Sequence, residues 1–180
     1  SPGLGFLLQS SDSMFPSGAY AHSFGLEGAV QDEVVCDVES YSDYIRDFVL
    51  PQIIHLELPM TGLAFDASVR ADLDSLCTLD ERYGAMKATK ELRTASARIG
   101  TQRLALAADL LDDSFVSEVY DAKEKGRLAG HEVLVIGVQC ARTGMSRSDA
   151  LGVVYYLSLS VLTNAIVKLI KIGQTDCQRI

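Results

Sequence analysis

Residues 146–168 read Ser-Arg-Ser-Asp-Ala-Leu-Gly-Val-Val-Tyr-Tyr-Leu-Ser-Leu-Ser-Val-Leu-Thr-Asn-Ala-Ile-Val-Lys, and this stretch decides the fold class. Ser146 is followed three residues later by Asp149, the spacing of a capping box that starts a helix. The segment 151–167 has 17 residues and no charge, and this length is near the lower end for a membrane-spanning helix. It is interrupted by the polar side chains Ser158, Ser160, Thr163 and Asn164. The pattern therefore predicts a helix buried in a soluble bundle, running to about Lys171.

The hydrophobic pattern is helical in the N-terminal half as well. Tyr41, Tyr44, Ile45 and Phe48 fall at positions i, i+3, i+4 and i+7, which is one face of an amphipathic helix. Ser40 and Asp43 have the spacing of a capping box at its start. We expect Pro51 to bend or end this helix, since proline lacks the N–H and crowds the preceding turn. A second helical piece is expected over residues 53–65, broken near Pro59 or Gly62.

Two further helices are predicted in the C-terminal half. An apolar stripe recurs at Leu92, Ala95, Ile99, Leu106 and Leu110. Residues 131–143, bracketed by Gly130 and Gly144, predict a short apolar helix, although the β-branched run 132–136 leaves a strand as the alternative. There is no hairpin signal with a tight Asn-Gly or Asp-Gly turn anywhere in the chain. The prediction is an all-α, single-domain helical bundle over residues 1–180, and whether the native chain extends past either end is left open.

The net charge of the chain limits the kinds of partner that it can bind. The chain of 180 residues carries a formal charge of −8, which argues against a nucleic-acid binder. Residues 1–81 hold 14 acidic and 2 basic side chains, a net of −12, whereas residues 82–180 hold 10 and 14, a net of +4. Acidic helices that happen to come first would explain this asymmetry, and so would opposite fields presented to different partners.

Cysteine and histidine usage gives no metal site. The cysteines are far apart, without a CxxC pair, and indicate reduced thiols in a cytoplasmic protein. The histidines are equally scattered, so no HxH or HExxH motif is present. These positions are Cys36, Cys77, Cys140, Cys177, His22, His55 and His131.

Motifs for catalysis are missing too. Gly3-Leu-Gly5 lacks the third glycine of a dinucleotide fingerprint, and there is no GxxxxGK[ST] phosphate loop. Ser17 or Ser23 with His22 and Glu27 could be imagined as a hydrolytic set, but the strand-to-helix elbow that presents such a serine is absent. We predict that the chain is not an enzyme and needs no cofactor and no metal of its own.

Residues 12–27 read Asp-Ser-Met-Phe-Pro-Ser-Gly-Ala-Tyr-Ala-His-Ser-Phe-Gly-Leu-Glu, which exceeds what a helix connection requires. Small residues permit close backbone approach and polar ones give directional bonds, so the segment is a candidate docking surface. A plain structural role for the histidine, bonded to a carbonyl or to the nearby glutamate, is the alternative. The candidate partner-binding residues here are Pro16, Ser17, Gly18, His22, Ser23, Gly25 and Glu27.

A similar polar cluster lies at the other end of the chain, and its alternative explanation is an ordinary helix end. Its candidate residues are Lys168, Gly173, Gln174, Thr175 and Gln178. Between the two clusters, residues 82–103 are basic, and a solvated helix face is the expected explanation for Arg82, Lys87, Lys90, Arg93, Arg98 and Arg103. Arg98 is the one singled out, because it belongs to the family motif given below, and its planar guanidinium suits a bidentate bond to a carboxylate, inside the fold or across an interface.

The three motifs together carry a family resemblance. Three stretches closely resemble the UreF family of urease accessory proteins. They are residues 12–27, then Glu91-Leu92-Arg93 with Ser96, Arg98, Ile99 and Gly100, and then Ile172-Gly173-Gln174-Thr175-Asp176 with Gln178-Arg179. Two positions depart from the family pattern, namely Cys177 where glycine is frequent and Lys171 where proline is common. The resemblance, and nothing in composition or spacing, leads to urease.

The resemblance implies an all-helical protein that dimerises and acts without a cofactor. Its implied partners are a UreD/UreH-type accessory protein, a UreG-type GTPase and the urease apoenzyme, with no nucleic acid and no membrane. The expected function is a non-catalytic scaffold in the nickel-insertion complex, and the resemblance also suggests a role in modulating the GTPase. A nickel-binding metallochaperone and a small helical enzyme stay open as alternatives.

Overall fold

The computed structural model describes Gly5 and residues 25–177, and every regular element between residues 25 and 177 is helical. The prediction of an all-α bundle is confirmed. The helices, labelled in chain order, are α1 (Leu26–Gln31), α2 (Val38–Val69), α3 (Leu73–Met86), α4 (Lys90–Leu110), α5 (Ser114–Glu124), α6 (Glu132–Arg142), α7 (Arg147–Leu169) and α8 (Gln174–Cys177).

Helix starts follow local hydrogen bonding. The Ser146 side chain accepts from the backbone N–H of Asp149, and the Asp149 carboxylate accepts from that of Ser146, so the predicted capping box at the start of α7 is confirmed. The predicted box at the start of α2 is wrong by three residues. Asp37 is the N-cap and its carboxylate accepts from Ser40, which places Ser40 inside the first turn.

Helix α2 continues through both of its prolines, which corrects the predicted break. Two π-helical turns, Ile45–Val49 and Ile53–Glu57, lie directly before the segments that contain Pro51 and Pro59. A proline ring crowds the carbonyl four residues earlier, and in both cases that residue lies in a π turn. The wider π turn relieves the crowding, so the helix axis continues.

Helix α6 is the centre of the bundle. All residues from Val133 to Cys140 are buried, and α6 packs against α2, α4 and α7 with further contacts to α3 and α5. A helix that is apolar on every side belongs in the interior, where packing overrides the β-branched preference for strand. The predicted helix over 131–143 is therefore confirmed, and the strand alternative is wrong.

Buried apolar residues form two clusters. The large core joins the C-terminal part of α2 to α3, α4, α5, α6 and the first half of α7. The small core consists of Leu26, Val35, Tyr41, Ile45, Leu162, Ile166 and Ile172. Helices α2 and α7 run antiparallel through both cores, since Arg147 pairs with Asp66 at one end and Ile45 and Leu162 share the small core at the other.

Within residues 25–177, two helices are long and apolar enough to cross a membrane by length and composition alone, namely α2 and α7. This is a weak indication, because core helices of soluble proteins have the same properties. Both helices pack against other helices of the bundle over much of their length.

The thiols of Cys36, Cys77 and Cys140 are free, as expected from their spacing. Burial raises the pKa of the Cys140 thiol to about 12, so this thiol stays protonated at neutral pH.

Helix α4 touches the backbone that leads into α6. A Cβ at Gly100 would lie 2.6 Å from the Glu132 nitrogen and 2.7 Å from the His131 carbonyl carbon. Both neighbours are backbone atoms, which cannot rotate away as a flexible side chain can. Gly100 is therefore required for the close approach of α4 to the start of α6.

Gly100→Ala should destabilise the protein by about 1–3 kcal/mol, because the added methyl forces the two backbones apart. Gly152→Ala is the matched control, since Gly152 lies inside α7 with open space around it. The control should gain about 0.5–1 kcal/mol, as alanine is the better helix former. Urea unfolding measures both, and a Gly100→Ala variant as stable as the wild type would refute the assigned close contact.

Candidate functional site

The described end of the first motif forms the start of α1. Gly25 precedes the helix with φ of 98°, a left-handed conformation that glycine adopts without strain. Leu26 is fully buried, and Glu27 is exposed in the first turn, where a carboxylate is favoured by the helix dipole. The other candidates of this motif, Pro16, Ser17, Gly18, His22 and Ser23, lie outside the described residues.

The described part of the C-terminal motif surrounds the end of α7. Lys168 is exposed in the last turn of that helix, where a cation faces the negative end of the dipole. Ile172 is buried, and Gly173 and Thr175 are exposed on either side of the start of α8. The Gln174 side chain and all of Gln178 lie outside what the structure describes.

The small core brings these two ends of the chain together. Three residues of the small core, Leu26, Ile166 and Ile172, are close in sequence to the exposed motif residues. Leu26 follows Gly25, Ile166 lies two residues before Lys168, and Ile172 precedes Gly173. We call the exposed set Gly25, Glu27, Lys168, Gly173 and Thr175 the terminal surface. Arg98 is exposed on α4, a helix that packs mainly on α6 and α5, and α4 contributes no described residue to the small core.

A second group of polar side chains lies inside the bundle, against the large core. Asp80 is 1% exposed, and its carboxylate accepts from the backbone N–H groups of Ala129 at 2.6 Å and His131 at 2.8 Å. The carboxylate also accepts from Gly130 at 3.3 Å. Hydrogen bonds to a charged group contribute about 1.5–3 kcal/mol each, so Asp80 fixes the connection between α5 and α6.

An ion pair lies next to Asp80. Lys87 Nζ is 3.5 Å from Glu57 Oε1, and the two side chains are only 5% and 11% exposed. The ammonium group also lies 5.0 Å from the centre of the Tyr83 ring, which stabilises the cation. Glu57 accepts from Gln52 at 3.2 Å and from Ser158 of α7 at 3.2 Å. The pair therefore joins α2, the α3–α4 connection and α7.

Arg103 of α4 and Gln139 of α6 complete the internal group. The Arg103 guanidinium donates to Gln139 Oε1 at 3.4 Å, and Gln139 Nε2 donates to the Arg103 carbonyl at 3.0 Å. Burial raises the pKa of the Glu132 carboxyl group, and the nearby Arg103 guanidinium opposes this shift. Among residues 25–177, no group of three or more His, Cys, Asp or Glu side chains has the arrangement of a metal site.

Comparison with known proteins identifies the family. The family model for UreF matches residues 35–180. The chain belongs to the UreF family of urease accessory proteins. It is 31% identical over 174 residues to the urease accessory protein UreF of Bacillus sp. (strain TB-90), covering 97% of this chain and 77% of that protein. It is 32% identical over 178 residues to UreF of Haemophilus influenzae (strain KW20 / Rd), covering 98% and 75%. For UreF of Actinobacillus pleuropneumoniae the identity is 31% over 178 residues, covering 98% and 78%.

The central UreF-like motif has an internal role at three of its positions. Ser96 is buried and its hydroxyl accepts from the Glu132 backbone at 3.4 Å, Ile99 is in the core, and Gly100 allows the backbone contact described above. Arg98 alone of these neighbours points a charge to the surface. The motif therefore combines the packing of α4 on α6 with one exposed cation.

Treating residues 82–103 as a solvated basic face was wrong for Lys87 and Arg103, which are 5% and 2% exposed. For Arg103 a signal was present: it follows Ser96 and Ile99 at helical spacing, so it lies on the buried stripe of α4. Lys87 gave no local signal, because its partner Glu57 is 30 residues away in the chain. Asp80 was missed for the same reason.

His131 should make stability depend on pH. It is 3% exposed, its Nδ1 has no hydrogen-bond partner among the described residues, and burial lowers its pKa. Asp80 opposes this shift, and Lys87 and Arg93 add to it. Because the unfolded chain takes up the proton first, stability should fall as pH drops below about 6.5 and through the folded pKa.

The measurement is urea unfolding of His131→Gln between pH 8 and 5. The wild type should lose up to about 1.4 kcal/mol per pH unit more than this variant over the window below pH 6.5, and the two slopes should agree above it. His55→Gln is the control, since His55 is exposed. If His131→Gln keeps the wild-type slope, His131 is not held neutral by the fold.

Proposed function

We propose that this UreF-family chain is a non-catalytic scaffold of the nickel-insertion complex that matures urease. It bridges a UreD/UreH-type accessory protein and a UreG-type GTPase on the urease apoenzyme, in the cytoplasm, and modulates the GTPase. In this proposal one UreF-like domain over residues 1–180 acts as a homodimer without a cofactor.

The observation that carries the proposal is the terminal surface. Two motifs at opposite ends of the sequence, each matching the family pattern, are held side by side because Leu26, Ile166 and Ile172 share the small core. Of their described polar members, Glu27, Lys168 and Thr175 are exposed. Residues that are exposed and yet positioned by a buried neighbour suit recognition of another protein.

Charge gives this surface its specificity in the proposal. Glu27 and Lys168 have opposite charges, each exposed at the end of its helix that favours it. Exposed charges of this kind steer and orient an incoming partner more than they add affinity.

Arg98 belongs to a separate face in this proposal. It is exposed on α4, a helix that contributes no described residue to the small core, and a planar guanidinium suits a bidentate bond to a carboxylate, inside the fold or across an interface. A scaffold that holds two different proteins needs two such faces. We therefore expect the terminal surface and the Arg98 face to serve different contacts.

Charge reversal tests the terminal surface. Glu27→Lys and Lys168→Glu should each weaken capture of the UreD/UreH-type protein by about ten-fold or more, corresponding to about 1.4 kcal/mol, with unfolding unchanged within about 0.5 kcal/mol. Glu118→Lys and Lys125→Glu are matched controls, because both residues are exposed on α5 or directly after it. Affinity is measured with purified proteins by titration calorimetry. Normal affinity of both charge-reversed variants would refute the docking assignment.

The metallochaperone and enzyme alternatives are tested on the isolated chain. Equilibrium dialysis with Ni²⁺ should show no tight stoichiometric site, and His22→Ala should leave retention unchanged. The purified chain alone should hydrolyse no ester, amide or GTP above buffer. Stoichiometric nickel retention that is lost on changing His22, His55 or His131 would favour metal carriage over scaffolding.

A further inference from the structure

The large and small cores hardly touch between them. Along α7, no residue from Tyr155 to Ser160 is buried, whereas Val154 belongs to the large core and Leu162 to the small core. Along α2, the only buried residues between Ile45 and Met60 are Ile53 and Glu57. Apart from Ile53, the apolar side chains here are partly buried or exposed, with Leu56 and Leu157 against the large core and Leu50 and Leu159 against the small core. Apolar packing is therefore sparser between the two cores than within either of them.

The helix ladder of α2 is weakest at this same place. Both π turns, Ile45–Val49 and Ile53–Glu57, fall within it, and Pro51 removes one further backbone donor. Prolines and π turns are the positions at which helices bend or open. The facing part of α7 contains Ser158, Ser160, Thr163 and Asn164, which are weaker helix formers than alanine or leucine.

Polar contacts of Glu57 hold α2 and α7 in place between the two cores. Glu57 is held by Lys87 at 3.5 Å, by Gln52 at 3.2 Å and by Ser158 at 3.2 Å. Lys87 follows the last residue of α3 and packs on Tyr83 of the large core. Its backbone carbonyl accepts from Arg93 at 2.6 Å, which fixes the position of the lysine. One ion pair thus ties α2 and α7 to the rigid part of the bundle.

We propose that residues 26–57 and 159–172 form one cooperative unit that opens and closes independently of the large core, with the Glu57–Lys87 pair as the latch that keeps it closed. The unit contains the small core together with Glu27 and Lys168 of the terminal surface, and the other members of that surface lie just outside its ends. Opening exposes little of the large core, because none of the buried residues of that core lies within the unit, and of the described residues in the unit only the partly buried Leu56 packs against it. Local units of this kind are a general property of proteins with uneven packing.

The latch sets how often the terminal surface changes its position relative to α3–α6. A buried pair is suited to this role, since loss of either member leaves the other charge uncompensated and favours the open form. The inference concerns the chain alone and holds whichever protein docks on the terminal surface.

Hydrogen exchange followed by mass spectrometry tests the latch on the full chain. In Glu57→Gln and in Lys87→Met, amides of residues 45–57 and 161–169 should exchange at least about ten-fold faster than in the wild type. Amides of α6 and of the buried part of α4 should keep their wild-type rates. Lys90→Met is the matched control, because Lys90 is exposed in the first turn of α4, close in sequence to Lys87. It should change neither group of amides.

Two results would overturn the inference. One is equal acceleration in all helices, which would make the pair a contributor to global stability only. The other is unchanged exchange throughout. If a single variant does not fold, the double variant E57Q/K87M carries the test, since it leaves no uncompensated buried charge. It should still show faster exchange confined to residues 45–57 and 161–169, by a smaller factor than a single variant, because the attraction between the two charges is lost while neither charge is left unpaired.

Discussion

Burial of α6 on every side is the constraint on which the rest of the structure depends. Its residues from Val133 to Cys140 have no exposed face, so five other helices must be arranged around them. The backbone just before α6 is held in place by two neighbouring helices. The Asp80 carboxylate of α3 accepts hydrogen bonds from its N–H groups, and α4 comes so close to it at Gly100 that a Cβ at that position would not fit. A buried helix requires that its N-terminal donors be satisfied from neighbouring elements, because water cannot reach them.

The interior of this bundle also contains charges, and their placement follows from the same packing. Glu57, Lys87, Asp80 and Arg103 lie where helices α2, α3, α4 and α6 come close to one another, each with a partner from another element. Buried ion pairs are weak contributors to stability when compared with apolar packing, but they are costly to break singly. They therefore act as specific connections between elements, which is how Glu57 joins α7 to the α3–α4 connection.

The residues of the family motifs lie around the small core and in α4. The UreF family model covers residues 35–180, and relatives of about 31% identity align with nearly the whole chain. Within the described residues, the matching motifs have two kinds of role. Ser96, Ile99 and Gly100 pack α4 on α6, whereas Gly25, Glu27, Lys168 and Gly173 are exposed around a few shared apolar residues. A motif in this family is thus partly a packing requirement and partly a surface.

The sequence by itself determined the fold class, the helices α4, α6 and α7, the capping box at Ser146 and the family, because periodicity, caps and motifs are local in the chain. It did not determine that α2 passes Pro51 and Pro59, since no local sequence signal marks the two π turns that allow this. Nor did it reveal the buried positions of Lys87 and Asp80, whose partners are about 30 and 50 residues away. Only the tertiary structure brought Leu26 next to Ile166 and Ile172, because the burial of those side chains depends on contacts between opposite ends of the chain.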